Sequence, residues 1–219
     1  MKRLLLLVEG ATEEEFVKTV LCEHLWTFGV DAQATQVCTR RIDGRRAHRG
    51  GGKNYDFIRD DLHRLLGGKP DAVSTMLDYY ALPTNFPGRA DLPAVPMAGR
   101  VSHLERAFGQ DISDRRFIPH LIVHEFEALL FAAPEQIKRL IVKPADHASL
   151  EKLMASVASP EDINDGEQTA PSKRVQSWIP QYQKTFHGPS ILKQVGLDRI
   201  RKQCLHFGAW VTSLEKLGT

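Results

Sequence analysis

Five consecutive aliphatic residues, Leu4 to Val8, end on a carboxylate and a glycine, Glu9 and Gly10, and then on the acidic stretch Thr12-Glu13-Glu14-Glu15. A short apolar run without alternation marks a strand buried on both faces, the situation of a parallel sheet covered by helices on two sides. Gly10 permits a tight turn, and Thr12 to Glu15 read as a T-x-x-E capping box at a helix start. Phe16, Val17, Val20, Leu21, Leu25 and Phe28 then recur at helical spacing up to Gly29. This order of strand, turn and helix places Glu9 at the carboxyl end of the first strand. The run is too short for a signal core, which needs roughly 7 to 15 apolar residues. No stretch approaches the roughly 18 apolar residues of a membrane span. Cys22, Cys38 and Cys204 are odd in number, widely spaced and without a CxxC pair, which argues against a disulfide framework and a zinc ribbon. A cytoplasmic protein without membrane association is expected.

The same unit recurs along the chain. Residues 32–39 form a candidate second strand, and the basic, glycine-rich stretch RRIDGRRAHRGGGKN reads as a long loop. A helix is predicted over 55–66 through Phe57, Ile58, Leu62, Leu65 and Leu66. The third strand, AVSTML, runs into Asp78. A loop containing Pro83, Pro87, Pro93 and Pro96 precedes a helix around 101–108, and a fourth strand over 117–123 runs into His124 and Glu125. Alternation of this kind predicts an α/β fold with a mainly parallel sheet. From about residue 134 only helical spacing remains, so residues 1–133 are expected to form the α/β domain and 134–219 a helical C-terminal extension packed on it. With 219 residues, 42% of them hydrophobic, the chain can bury one substantial core plus such an extension. Within the extension, SPEDINDGEQTAPSKR reads as a polar loop able to reach back over the sheet.

A net charge of +2 excludes binding to nucleic acid through bulk charge and leaves local basic patches to do it. Ligands of open parallel sheets bind at the carboxyl ends of the strands. Three predicted strands end on acids there: Glu9, Asp78, and the pair Glu125 and Glu127 in HEFEALLF. Converging carboxylates repel unless a cation sits among them, and hard oxygen ligands suit Mg²⁺ or Mn²⁺. The chemistry this favours is metal-assisted phosphoryl transfer or hydrolysis. His120, His124 and Glu125 give H-x-x-x-H-E, which is not the zincin order and falls on strand-forming residues, so zinc hydrolysis is disfavoured. His124 is expected to support the carboxylates as a polar neighbour.

LLLLVEG followed by TEE and a helix, with STMLDYY later, resembles the Toprim superfamily of topoisomerases, primases and overcoming-lysogenization-defect nucleases. VEGATEEEFV, TMLDYYALPTNFPG, HEFEALLF, TAPSKR, YQKTFHG and CLHFGAW are similar, over nearly the whole chain, to a family of stand-alone Toprim-like proteins often found beside an ABC-type or AAA-type ATPase. The resemblance implies a Toprim-like fold, a Mg²⁺- or Mn²⁺-dependent nuclease or nickase acting on DNA, and a role as effector of a partner ATPase in phage defence. It makes Glu9 the acid of the first strand and Asp78 the first acid of an Asp-x-Asp pair. The second acid is missing: position 80 is Tyr80, left to act beside the metal, and Glu125 or Glu127 is the candidate replacement.

Arg41, Arg45 and Arg46, with Arg40, Arg49 and Lys53, form either a solvated surface segment or an electrostatic arm for phosphates. Lys173 and Arg174 after Ala170-Pro171-Ser172 sit at a helix start, where they form a basic face or offer phosphate donors. Lys184 and His187 share that ambiguity. Trp178, Phe207 and Trp210 read as core anchors. Two other functions fit the same residues: a catalytically inactive Toprim-like module that docks on an ATPase or on nucleic acid, and an enzyme acting on a small phosphorylated molecule. A homo-oligomer is compatible with all three.

Overall fold

The computed structural model describes residues 1–42, 45–49, 54–164, 166 and 168–219, with the backbone alone for 39–42 and 45–49. The elements run β1 (Lys2–Val8), α1 (Ala11–Phe16), a π-helical turn (Val17–Leu21), α2 (Cys22–Trp26), β2 (Val30–Gln36), β3 (Cys38–Ile42), β4 (Arg45–Arg49), α3 (Tyr55–Gly67), β5 (Ala72–Asp78), α4 (Met97–Ile112), β6 (Phe117–Ile118) and β7 (Leu121–Ile122). A 3₁₀ helix (Phe126–Ala132) follows, then α5 (Pro134–Leu140), α6 (Pro144–Ser156), α7 (Pro171–Trp178), α8 (Lys184–Val195), α9 (Leu197–Gln203) and α10 (Leu205–Glu215).

The main sheet has the order β2-β1-β5-β6, with β7 also paired to β5, and every one of these pairings is parallel. The run at residues 4–8 shows why. Successive side chains of a strand point to opposite faces, and the five residues divide by parity between two cores. Leu4, Leu6 and Val8 pack with Phe16, Leu21, Leu25 and, from the far end of the chain, Phe207, Trp210 and Leu214. Leu5 and Leu7 pack with Ile58, Leu62, Val101, Leu104 and Phe108 of α3 and α4. The expected α/β class, a parallel sheet flanked by helices, is therefore what the chain forms.

Several boundaries differ from the sequence expectation. The basic stretch after residue 39 contains an antiparallel pair, β3 with β4, instead of a continuous loop. Its arginines provide no apolar alternation from which strands could be read. The expected fourth strand is broken into β6 and β7 at Pro119, whose ring lacks the N–H a ladder needs. The first helix is capped by Gly10 and begins at Ala11, two residues before the predicted start, and Glu13 Oε2 accepts the Gly10 N–H at 2.8 Å. It also passes through the π turn, which hydropathy spacing does not reveal. Among the described residues, no helix is long and apolar enough to cross a membrane.

After β7 the described elements are helical, but their core is continuous with that of the sheet. Trp210 donates its indole N–H to Ser74 Oγ at 2.9 Å, fixing α10 across β5, and Trp178 and Phe207 are buried in the same cluster.

Candidate metal centre

β1 and β5 lie side by side in register, Val8 opposite Met76, so their carboxyl ends deliver Glu9 and Asp78 to one edge. Glu9 continues the ladder by donating its N–H to Met76 O at 3.0 Å, and its Oε2 accepts the Asp78 N–H at 3.0 Å. β7 sets Ile122 opposite Asp78 and then turns away. The turn is made at His124, a buried residue with a left-handed φ of 63°, whose carbonyl accepts the Tyr80 N–H at 3.0 Å. A left-handed histidine costs more than a glycine would, and the reversal it makes brings the following segment back over the strand ends. There Asp78 Oδ1 accepts the Phe126 N–H at 3.0 Å, which places Glu125 and Glu127 on either side of the contact. Glu125 Oε2 accepts the Ser172 N–H at 2.9 Å, at the start of α7, where free amides and the helix dipole favour an anion. Glu127 Oε1 stands 3.1 Å from Lys184 Nζ at the start of α8.

The four acids expected from the sequence thus meet at one edge, each oriented by a neighbouring element. Glu125 and Glu127 do not end a strand as expected; they lie beyond the His124 turn, and Glu127 is in the first turn of the 3₁₀ helix. A fifth carboxylate joins them. Glu13 is buried and lies within the field of Glu9 and Glu127. The sequence reading assigned it to capping alone. The signal was available in the spacing, since one helical turn after the strand-end acid returns a side chain to the same edge.

Burial outweighs the amides and the ammonium that oppose it. Desolvation is the largest influence on Glu9, Glu13, Asp78 and Glu127, and it raises all four carboxyls above their ordinary range, Glu13 to about 7 and Asp78 well above. Mutual repulsion adds to this: Glu9, Glu13, Glu127 and Glu125 all push Asp78 upward. Lys184 opposes it. Burial lowers the Lys184 ammonium, but Glu127, Glu125 and Asp78 more than reverse that and hold it above its usual value. Lys184 acts on Glu9, Asp78, Glu125 and Glu127 without outweighing their burial, which leaves an edge of hard oxygen donors, the chemistry that suits Mg²⁺ or Mn²⁺. Among the described residues, the three ligand atoms that close to within 4.8 Å of one another belong to Glu105, His120 and His206 instead. A hydrated Mg²⁺, which keeps several waters and needs only one or two direct carboxylates, is compatible with the looser spacing.

The remaining sequence candidates fall in different places. Tyr80 is in a short 3₁₀ turn with its side chain half-exposed and its N–H bonded to the His124 carbonyl. Lys173 is exposed in the first turn of α7, and Arg174 donates its Nε–H to Thr169 O at 2.7 Å. The helix start itself is directed at Glu125. The side chains of Arg41, Arg45 and Arg46 lie outside the described residues.

No curated protein matches the chain. Among solved structures, the C-terminal region of the Xanthomonas campestris pv. campestris OLD protein aligns with 92% of this chain and 95% of its own length, at 14% identity and a TM-score of 0.33, a likeness distant in both sequence and shape. The model of the family described as Domain of unknown function (DUF4276) matches residues 8–215, from the last residue of β1 to the last of α10, and so spans the strand-end acids and the helices that orient them. The chain belongs to the DUF4276 family.

Proposed function

We propose that this protein is a Mg²⁺- or Mn²⁺-dependent phosphodiesterase acting on nucleic acid, a nuclease or nickase whose centre is the acidic edge. The observation that carries the reading is the convergence of Glu9, Asp78, Glu125 and Glu127, with Glu13, at the carboxyl ends of adjacent parallel strands. These residues would hold the cation, and Glu125 or Glu127 would supply the carboxylate that Tyr80 does not. Such a cation polarises a phosphodiester and lowers the pKa of an attacking water. The protein's own contributions are distinct. Glu9 and Asp78 are held in place by main-chain N–H groups, so their oxygens need no reorganisation. Lys184, partly exposed beside Glu127, would meet a phosphate oxygen, and buried Glu13 would add its charge to the cation's surroundings. DNA as substrate, a partner ATPase of the ABC or AAA type, and a role in phage defence rest on the family resemblance alone.

The test is incubation of the purified protein with supercoiled DNA and Mg²⁺ or Mn²⁺, alone and with its partner ATPase. Cleavage is expected with the cation and is lost, by at least 10²-fold on the scale of a removed electrostatic stabiliser, in Glu9→Gln and Asp78→Asn. Cutting that persists unchanged in Glu9→Gln removes this mechanism. The exposed ring of Tyr80 and the wide carboxylate spacing favour a second reading, an inactive module that docks on an ATPase or nucleic acid. If millimolar Mn²⁺ neither binds nor raises the melting temperature, that reading replaces the first.

A further inference from the structure

Beside β5, at the level of Thr75 and so further back from the acidic edge, lies a second cluster of different chemistry. Glu105 from α4, His120 between β6 and β7, and His206 from the start of α10 each bring one ligand atom within 4.8 Å of the other two. Glu105 Oε1 stands 2.9 Å from His206 Nε2 and 3.5 Å from His120 Nδ1. Ligands of a tetrahedral Zn²⁺ with bonds of about 2.0–2.2 Å stand roughly 3.3–3.5 Å apart, and these two separations straddle that spacing.

His120 is the observation that points to a ligand. It is 1% exposed, and its Nδ1, the nitrogen that faces Glu105, stands 3.5 Å from Oε1, at the outer limit of a hydrogen bond. The ring is held rigidly, stacked at 4.2 Å and 9° on Trp210 and at 5.0 Å on His206. A buried nitrogen with so long a contact gains little from it, and ligation through Nδ1 would employ it. The surrounding contacts also fit an ion site. Leu121 donates its N–H to Glu105 Oε1 at 2.8 Å, and Glu161 accepts the N–H groups of His206 and Phe207 at 3.0 Å each, fixing the helix that carries His206. A cleft of about 390 Å³ lined by Val123, Glu161, Lys202 and His206 opens beside His206.

We propose that Glu105, His120 and His206 form a second metal site that binds a borderline divalent ion of the Zn²⁺ type through two imidazoles and a carboxylate. Its donor set separates it from the all-oxygen edge, because imidazole selects Zn²⁺ and its neighbours over Mg²⁺. The site joins α4, the segment before β7 and α10, so the ion would pin the C-terminal helix to the sheet. It does not depend on the nuclease reading.

The experiment uses the full-length protein, stripped with chelator and dialysed against Zn²⁺ alone, in a Glu9→Gln/Asp78→Asn background that disables the acidic edge. One Zn²⁺ per chain and a raised melting temperature are expected, with at least a 10-fold loss of affinity in His206→Gln and in Glu105→Gln. His206 is only half-buried, and the Zn²⁺-free melting temperature of each variant checks its fold. Co²⁺ supplies a readout that needs no variant, since the wild-type protein should show the intense ligand-field absorption of a tetrahedral site with nitrogen donors. Absence of a bound Zn²⁺, equal binding by His206→Gln, or an octahedral Co²⁺ spectrum overturns the proposal.

Discussion

Glu13 shows how much a single side chain in this edge costs. It caps the first helix through Gly10 and is buried beside Glu9 and Glu127, so at alkaline pH the metal-free protein must either ionise it under repulsion or retain its proton. Glu13→Gln keeps an acceptor for the Gly10 amide and removes the charge. The variant is expected to be more stable than wild type by about 2 kcal/mol at pH 8 without metal, a rise of roughly 4–8 °C in melting temperature. Calorimetry in chelator checks it, and the advantage should shrink when Mg²⁺ is added. An unchanged or lowered melting temperature would show that the cap matters more than the charge. Residue types near the edge were legible in the sequence where a strand ends on an acid, as at Glu9 and Asp78. Glu125 and Glu127 were legible as candidates, but their route was not, because it depends on the left-handed backbone at His124.

At the level of elements, close packing of α10 against α9 reverses an ordinary rule. Gly→Ala within a helix is usually stabilising by about 1 kcal/mol. At Gly208 an added Cβ would lie 2.6 Å from Arg201 O, a backbone atom that cannot swing aside. Gly208→Ala is therefore expected to destabilise by about 1–3 kcal/mol, read as a lowered urea midpoint with unchanged slope; a raised midpoint would mean that the helices separate freely. The sequence revealed those elements whose periodicity is carried by apolar residues, such as β1, β5, α3 and α4. It concealed β3 and β4, whose pattern is arginine, and it merged β6 with β7 because hydropathy does not register the donor missing at Pro119. The cluster of Glu105, His120 and His206 was invisible for another reason. Its members lie on separate elements brought together only by tertiary packing, and no local spacing records them.

For the whole molecule, the raised carboxyls set the sign of the pH dependence. Glu9, Glu13, Asp78 and Glu127 bind protons in the folded state at pH values where the unfolded chain has released them, so stability must rise as pH falls. His206, also raised, adds in the same direction. His120, lowered to about 4, opposes only below about pH 6.5, where the unfolded histidine begins to charge. Glu105 and Asp114, each held at about 2, titrate far outside this range. Between about pH 8 and 6.5 the metal-free protein should therefore become more stable on acidification. Saturating Mg²⁺ should flatten the slope by replacing protons with a cation. A stability that falls over this window would mean that the acidic edge is already neutralised by another group.

The chain of amides that orients the edge also has a consequence for how the protein comes into being. Asp78 N–H serves Glu9, Phe126 N–H serves Asp78, and Ser172 N–H serves Glu125. Each link closes a large loop of sequence, so none can form before the segments it joins have docked. A chain lacking the segment that begins α7 has no Ser172 N–H with which to orient Glu125. Whatever chemistry the edge performs is withheld until the segment that begins α7 has docked.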